Sequence, residues 1–154
     1  MITLIGMGSG TPESLTAQGL AALQNAGLIL GAKRLLEQLP QGCTEHRKAL
    51  YQPEDVLAAL AADPEVDAAL VYSGDTGFYS GAAKLLPLLR VMGYSVRVLP
   101  GLSSVQLLAA AVGRPWQDWK LVSAHGRVCD PVAEVLSHPQ VFFLTGGGDS
   151  PATL

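Results

Sequence analysis

Charge is scarce in this chain: Asp, Glu, Lys and Arg make up 15% of its 154 residues, against roughly 25% in an ordinary soluble protein. Ala, Val, Ile, Leu, Met, Phe, Trp, Tyr and Cys reach 49%, and this pairing excludes intrinsic disorder, which needs low hydrophobicity and high net charge. It also predicts that surface beyond the internal core is covered, by a further domain or by a second copy of the chain. There is no basic excess. Ten Lys and Arg against thirteen Asp and Glu give a formal charge of −3, which supplies no field for polyphosphate, so nucleic acid is not an expected partner. Nor is a membrane expected: the uncharged stretch from Ser14 to Ala32 contains Gln18, Gln24 and Asn25 besides several glycines, too polar for a bilayer helix. Met1-Ile2-Thr3-Leu4 lacks the basic start of a secretory signal, so the expected location is cytoplasmic. Cys43 and Cys129 are too far apart to read as a redox pair. Each has a histidine nearby, His46 and His125, but without the ligand framework of a zinc finger. The expectation is buried thiols and no metal.

What the chain does have is alternation. Ile2 to Ile5 is a short β-branched run ending at Gly6, and Leu15 to Ala26 has helical spacing. Leu28 to Leu30 reads as a second strand and Ala32 to Leu39 as a short helix stopped by Pro40. A polar connection follows to Lys48. Pro53 opens another helix at its first turn, Ala68 to Tyr72 is a buried-type strand, and Tyr79 to Met92 is a helix that Pro87 should bend. Ser95 to Leu99 is a strand and Val105 to Val112 a helix. This order predicts an α/β fold, a mostly parallel sheet flanked by helices. Arg114-Pro115-Trp116 breaks the rhythm, which predicts an N-terminal α/β domain over residues 1–115. Residues 116–154 then read as the truncated start of a second α/β domain, with strands at Leu121 to Ser123 and Val141 to Leu144 and a helix around Val132 to Leu136. A helix start near Asp149 to Pro151 runs out at Leu154.

Ligands of parallel sheets bind beyond the carboxyl ends of the strands. Three segments lie at such ends. Gly6-Met7-Gly8-Ser9-Gly10-Thr11 permits positive φ and close backbone approach. A dinucleotide fingerprint would need glycine where Thr11 stands and an acidic residue where Gly31 ends the next strand. In Ser73-Gly74-Asp75-Thr76-Gly77-Phe78-Tyr79, Asp75 could accept hydrogen bonds from a ligand or cap the following helix, and Phe78 and Tyr79 could be core or ligand wall. In Pro100-Gly101-Leu102-Ser103-Ser104, the paired hydroxyls could cap a helix or face a ligand.

These three segments in this order, with Ala26-Gly27-Leu28-Ile29-Leu30-Gly31 between the first and second, resemble the tetrapyrrole methylases. Pro100-Gly101-Leu102-Ser103-Ser104-Val105-Gln106, Trp116-Gln117-Asp118 and Ser123-Ala124-His125-Gly126-Arg127 are most similar to its precorrin-6Y branch. The resemblance implies a two-domain, dimeric C-methyltransferase that uses S-adenosyl-L-methionine on a precorrin tetrapyrrole, with a decarboxylating methyltransferase domain or subunit as a further partner. Gly8, Ser9, Gly10, Gly74, Asp75, Ser103 and Ser104 would then serve the cofactor. His125 and Arg127, with Arg114 and Lys120 as further candidates, would meet the carboxylates of the substrate. Thr76 stands where the family commonly has proline. No proton carrier is assigned, because a sulfonium donor and an electron-rich carbon need alignment more than a strong base. These 154 residues alone are expected to be inactive.

Overall fold

The computed structural model of the chain describes residues 1–125 and 128–146, which form two compact units, Met1–Ser103 and the residues from Ser104 onward. In the first unit five strands, β1 (Ile2–Gly6), β2 (Leu28–Gly31), β3 (Arg47–Lys48), β4 (Ala68–Tyr72) and β5 (Val96–Leu99), lie in the order β3-β2-β4-β1-β5. Every pairing is parallel. Parallel neighbours cannot be joined by a hairpin, so the connections carry helices α1 (Ala17–Asn25), α2 (Lys33–Leu36), α3 (Pro53–Ala61) and α4 (Ala82–Val91).

The central strands β1, β2 and β4 read as largely apolar runs because both faces of the sheet are covered there. Leu4, Leu28, Leu30 and Leu70 pack with Val56 and Leu60 of α3 and with Leu85 and Leu89 of α4. Their alternates Ile5, Ile29, Ala69 and Val71 pack with Leu23 of α1, with Leu35 and Leu36 of α2, and with Cys43. Each fully buried Leu or Ile is worth about 1.5–3 kcal/mol. Burial also pushes the Cys43 thiol above its ordinary value, as expected of a small core residue.

Local chemistry sets the element ends. Pro12–Ser14 forms a single 3-10 turn, and α1 starts only after Thr16, whose hydroxyl accepts a hydrogen bond from the Gly19 amide at 3.0 Å. The helix therefore begins later than the apolar spacing from Leu15 suggests. Likewise α4 begins at Ala82, because Tyr79 has φ +48 and cannot be helical. Pro87 sits on the exposed side of α4, which continues through it to Val91. The edge strand β3, only Arg47 and Lys48, was hidden in the polar connection.

In the second unit α5 (Ser104–Val112) precedes β6 (Lys120–Ser123), α6 (Pro131–Ser137) and β7 (Val141–Leu144). β6 and β7 pair in parallel, Lys120 opposite Val141 and Ser123 opposite Leu144. Pro131 opens α6, and the Asp130 carboxylate caps it by accepting from the Ala133 amide at 3.1 Å. The helix start expected at Asp149 lies outside the described residues. Among the described residues no helix is long and apolar enough to cross a membrane.

Candidate functional site

From β1 the chain crosses to β2 on one side of the sheet, while from β4 it crosses to β5 on the other. The carboxyl ends of the adjacent strands β1 and β4 are thus a topological switch point, where connections diverge and where ligands of open parallel sheets bind. All three sequence-predicted turns of the first unit meet there. Gly8 and Gly74 pair as an antiparallel bridge, the Gly8 amide donating to the Gly74 carbonyl at 3.1 Å and the Gly74 amide to the Gly8 carbonyl at 2.8 Å. The turn after β5 closes over the end of β1. A Cβ on Gly6 would lie 2.6 Å from the Gly101 nitrogen and 2.7 Å from the Gly74 oxygen, nearer than real Cβ atoms come to anything.

Asp75 ties this arrangement together. Its Oδ1 accepts from the Gly77 amide at 2.8 Å, which shapes its own turn, and its Oδ2 accepts from the Gly101 amide at 3.0 Å. The second bond joins the turns after β4 and β5, two strands that are separated in the sheet by β1. Thr76 adds a parallel tie: its buried hydroxyl donates to the Leu99 carbonyl at 3.2 Å. The first turn has its own fastening, Ser14 Oγ, whose single proton is shared between the Thr11 carbonyl at 2.8 Å and the Met7 carbonyl at 3.0 Å. Thr76 stood out in the sequence only as a departure from proline, and Ser14 not at all, since an isolated hydroxyl carries no signal until its acceptor is known.

Around this knot, Ser9 is exposed with its hydroxyl 3.3 Å from that of Thr11, Gly10 has φ +95, and Ser103 is buried immediately before the exposed Ser104 opens α5. The amide and carbonyl of Gly74 are already paired, so what it can offer a ligand is its open Cα side. A Cβ there would find nothing nearer than the Leu102 oxygen and the Ser103 Cα, both at 3.9 Å, and φ +69 reserves the position for glycine. The carbonyls of Gly8, Gly74, Met7 and Thr11 are engaged within the turns, so the acceptors that the rim presents are the Asp75 carboxylate and the exposed Ser9 hydroxyl, groups suited to a ligand that carries positive charge or hydroxyls. No acidic residue ends β2; Gly31 there is pressed against the Val71 side chain. At the opposite end of the sheet, where the strands begin, Met1, Gln18, Asn25, Asp67 and Arg97 line a separate cavity of about 270 Å³.

In the second unit, His125 is exposed just beyond the end of β6, and the Gly146 backbone lies so close to its imidazole that any side chain at 146 would overlap the ring. Lys120 begins the same strand, so about five extended residues, roughly 16 Å, separate it from His125. Lys120 faces Glu134 at 3.9 Å, while Arg114 lines a hollow with Asp118 and Gln140 at the strand beginnings. These two cations are therefore not gathered with His125. Arg127 lies outside the described residues.

A family model described as Tetrapyrrole (Corrin/Porphyrin) Methylases matches residues 1–150. The chain is 30% identical over 151 residues to the cobalt-precorrin-7 C(5)-methyltransferase of Salmonella typhimurium, an alignment covering 98% of this chain and 74% of that protein. It is 30% identical over 156 residues to the decarboxylating precorrin-6Y C(5,15)-methyltransferase of a Sinorhizobium species, across 99% of this chain and 37% of that one. Among solved structures, the precorrin-6Y methylase of Archaeoglobus fulgidus shares the fold with a TM-score of 0.68 at 21% identity, covering 94% of this chain and 72% of that one. The chain belongs to the tetrapyrrole (corrin/porphyrin) methylases, a family of S-adenosylmethionine-dependent methyltransferases.

Proposed function

We propose that this chain carries the cofactor site of a methyltransferase that places a methyl group from S-adenosylmethionine on carbon 5 of a precorrin, metal-free or cobalt-loaded, in cobalamin synthesis. The observation that carries the proposal is the knot at the switch point, where Asp75 clasps Gly101 while Gly8 and Gly74 pair beside it. Two of the similar proteins are named for methylation at carbon 5, which favours that position over others on the macrocycle. The residues present fit the cofactor: the space beside Gly74 admits a close approach, and the rim of acceptors suits a sulfonium cation with ribose hydroxyls.

When bound, the cofactor supplies an electrophilic methyl group. The chain supplies position. Asp75 and Thr76 hold the turns after β4 and β5 at fixed spacing, and Gly74 leaves room for the ligand; Ser103 and Ser104 are proposed as further cofactor residues. Holding donor and acceptor in register and excluding water is the dominant requirement for such a transfer. His125 and Arg127 are proposed to bind substrate carboxylates. The exposed apolar side chains Leu88, Val91, Met92 and Val98 favour a homodimer. Calorimetric titration of the protein tests the reading: micromolar binding of S-adenosylhomocysteine and none of NADH is expected, and the reverse preference would overturn it.

A further inference from the structure

At the end of the sheet where the strands begin, the cavity of about 270 Å³ beside α1 holds a polar group that the fold does not use. Thr3 of β1 is only 7% exposed and stands opposite Arg97 of β5 in the parallel register, so both side chains lie on the same face of the sheet and line the cavity together. The Thr3 hydroxyl exchanges no hydrogen bond with any described residue. The buried side-chain polar atom sealed off without a partner among the described residues is Trp119 Nε1, so the Thr3 hydroxyl opens into the cavity instead. A nearly buried hydroxyl that bonds to nothing in the fold costs stability, and valine would fill the same space without that cost.

Arg97 is equally underused. Its guanidinium donates to Gln18 Oε1 at a long 3.4 Å, and among the described residues no carboxylate pairs with its charge. Asp67, the acidic residue of the lining, is held by the Met1 amine at 2.5 Å, which leaves Arg97 as the uncompensated charge. Donors therefore gather on one side of the cavity, while Ala21, Ala22 and Ala68 face it with methyl groups. A guanidinium fork beside a hydroxyl recognises an oxyanion, and the methyl groups favour an aliphatic stem. Ligand pockets commonly span roughly 300–1,000 Å³, so the volume here suits a small metabolite and neither a nucleoside cofactor nor a macrocycle.

We infer that this cavity is a second ligand site, which takes a small carboxylate on a short aliphatic stem, its carboxylate held by Arg97 and Thr3. The inference stands apart from the proposed function, because it uses none of the residues at the carboxyl rim.

Calorimetric titration of the protein with butyrate is the test, with butylamine and inorganic phosphate as comparisons. Butyrate should bind with about millimolar affinity or tighter, phosphate about tenfold more weakly, and butylamine not at all. Two variants separate ligand from fold. Arg97→Gln should weaken butyrate binding about tenfold while its melting temperature stays within about 1 °C of wild type, as befits an exposed side chain. Thr3→Val should weaken it about fivefold yet melt at or above the wild-type temperature, since the hydroxyl has no partner in the fold to lose. S-adenosylhomocysteine should leave butyrate binding unchanged. The inference is overturned if butyrate does not bind, if butylamine or phosphate binds as well, if S-adenosylhomocysteine displaces it, or if both variants bind it like wild type. A Thr3→Val protein that melts below wild type would also overturn it, because the hydroxyl would then serve the fold. Failure of the wild type to bind S-adenosylhomocysteine bears on the proposed function alone.

Discussion

Replacing Asp75 by Asn probes the clasp with almost no change of shape. The carboxylate satisfies two amides, Gly77 at 2.8 Å and Gly101 at 3.0 Å. Asn has one acceptor oxygen, so one amide must face an NH2 group, donor against donor. A hydrogen bond to a charged group is worth about 1.5–3 kcal/mol, and a buried amide left without a partner costs a similar amount. The Gly77 bond is exposed and water can replace it, whereas the Gly101 bond is partly buried, so the net loss should be about 2 kcal/mol. Against a total stability of about 5–15 kcal/mol, that is a large fraction. Urea unfolding should show the midpoint falling by about 1 M for a slope near 2 kcal/mol per M. Because the clasp sets the spacing of two of the proposed cofactor turns, S-adenosylhomocysteine affinity should fall as well, and Asp75→Glu, which keeps the charge but not the reach, should rescue neither. An Asn variant within about 0.5 kcal/mol of wild type and with unchanged affinity would refute the claim that Asp75 organises the site.

Other perturbations follow from the same contacts. Gly6→Ala sets a methyl group against backbone on two sides, at 2.6 Å from Gly101 and 2.7 Å from Gly74, neither of which can rotate away, so a loss of about 3 kcal/mol or more is expected in thermal melts. Thr76→Val deletes the bond to the Leu99 carbonyl and should cost about 1–2 kcal/mol in urea unfolding, with Thr76→Ser restoring most of it. Burial pushes the Tyr72 phenol up from 10.0 to about 12. The folded chain keeps this proton after the unfolded chain has lost it, so the stabilisation is intact below pH 10 and falls away toward pH 12, by about 2 kcal/mol. Stability measured across that window should fall less steeply for Tyr72→Phe than for wild type.

Much of the fold was legible because period and punctuation agreed. Ala68–Tyr72 and Val141–Leu144 are strands at the expected residues, and Pro53 opens α3 as its missing amide requires. The misjudged ends share one cause, a local geometry that apolar spacing cannot register: the 3-10 turn before α1 and the left-handed Tyr79 before α4. β3 was invisible because a polar edge strand of two residues has no period. The strand order is likewise a property of long-range packing. At the site, glycines marked all three turns, yet the role of Asp75 emerges only once Gly101 is found beside it, 26 positions away in the chain. Cys43 needed no such help, since a thiol among apolar neighbours is most simply core.

Amide hydrogen exchange of the full-length protein, with and without S-adenosylhomocysteine, asks most directly whether the three turns are one cofactor site. Slowed exchange concentrated at Gly8 to Gly10, Gly74 to Gly77 and Gly101 to Ser104, and none with NADH, is the expected result. Protection that leaves these turns unchanged and falls instead on Gln18, Asn25 and Arg97 at the other end of the sheet would contradict the account.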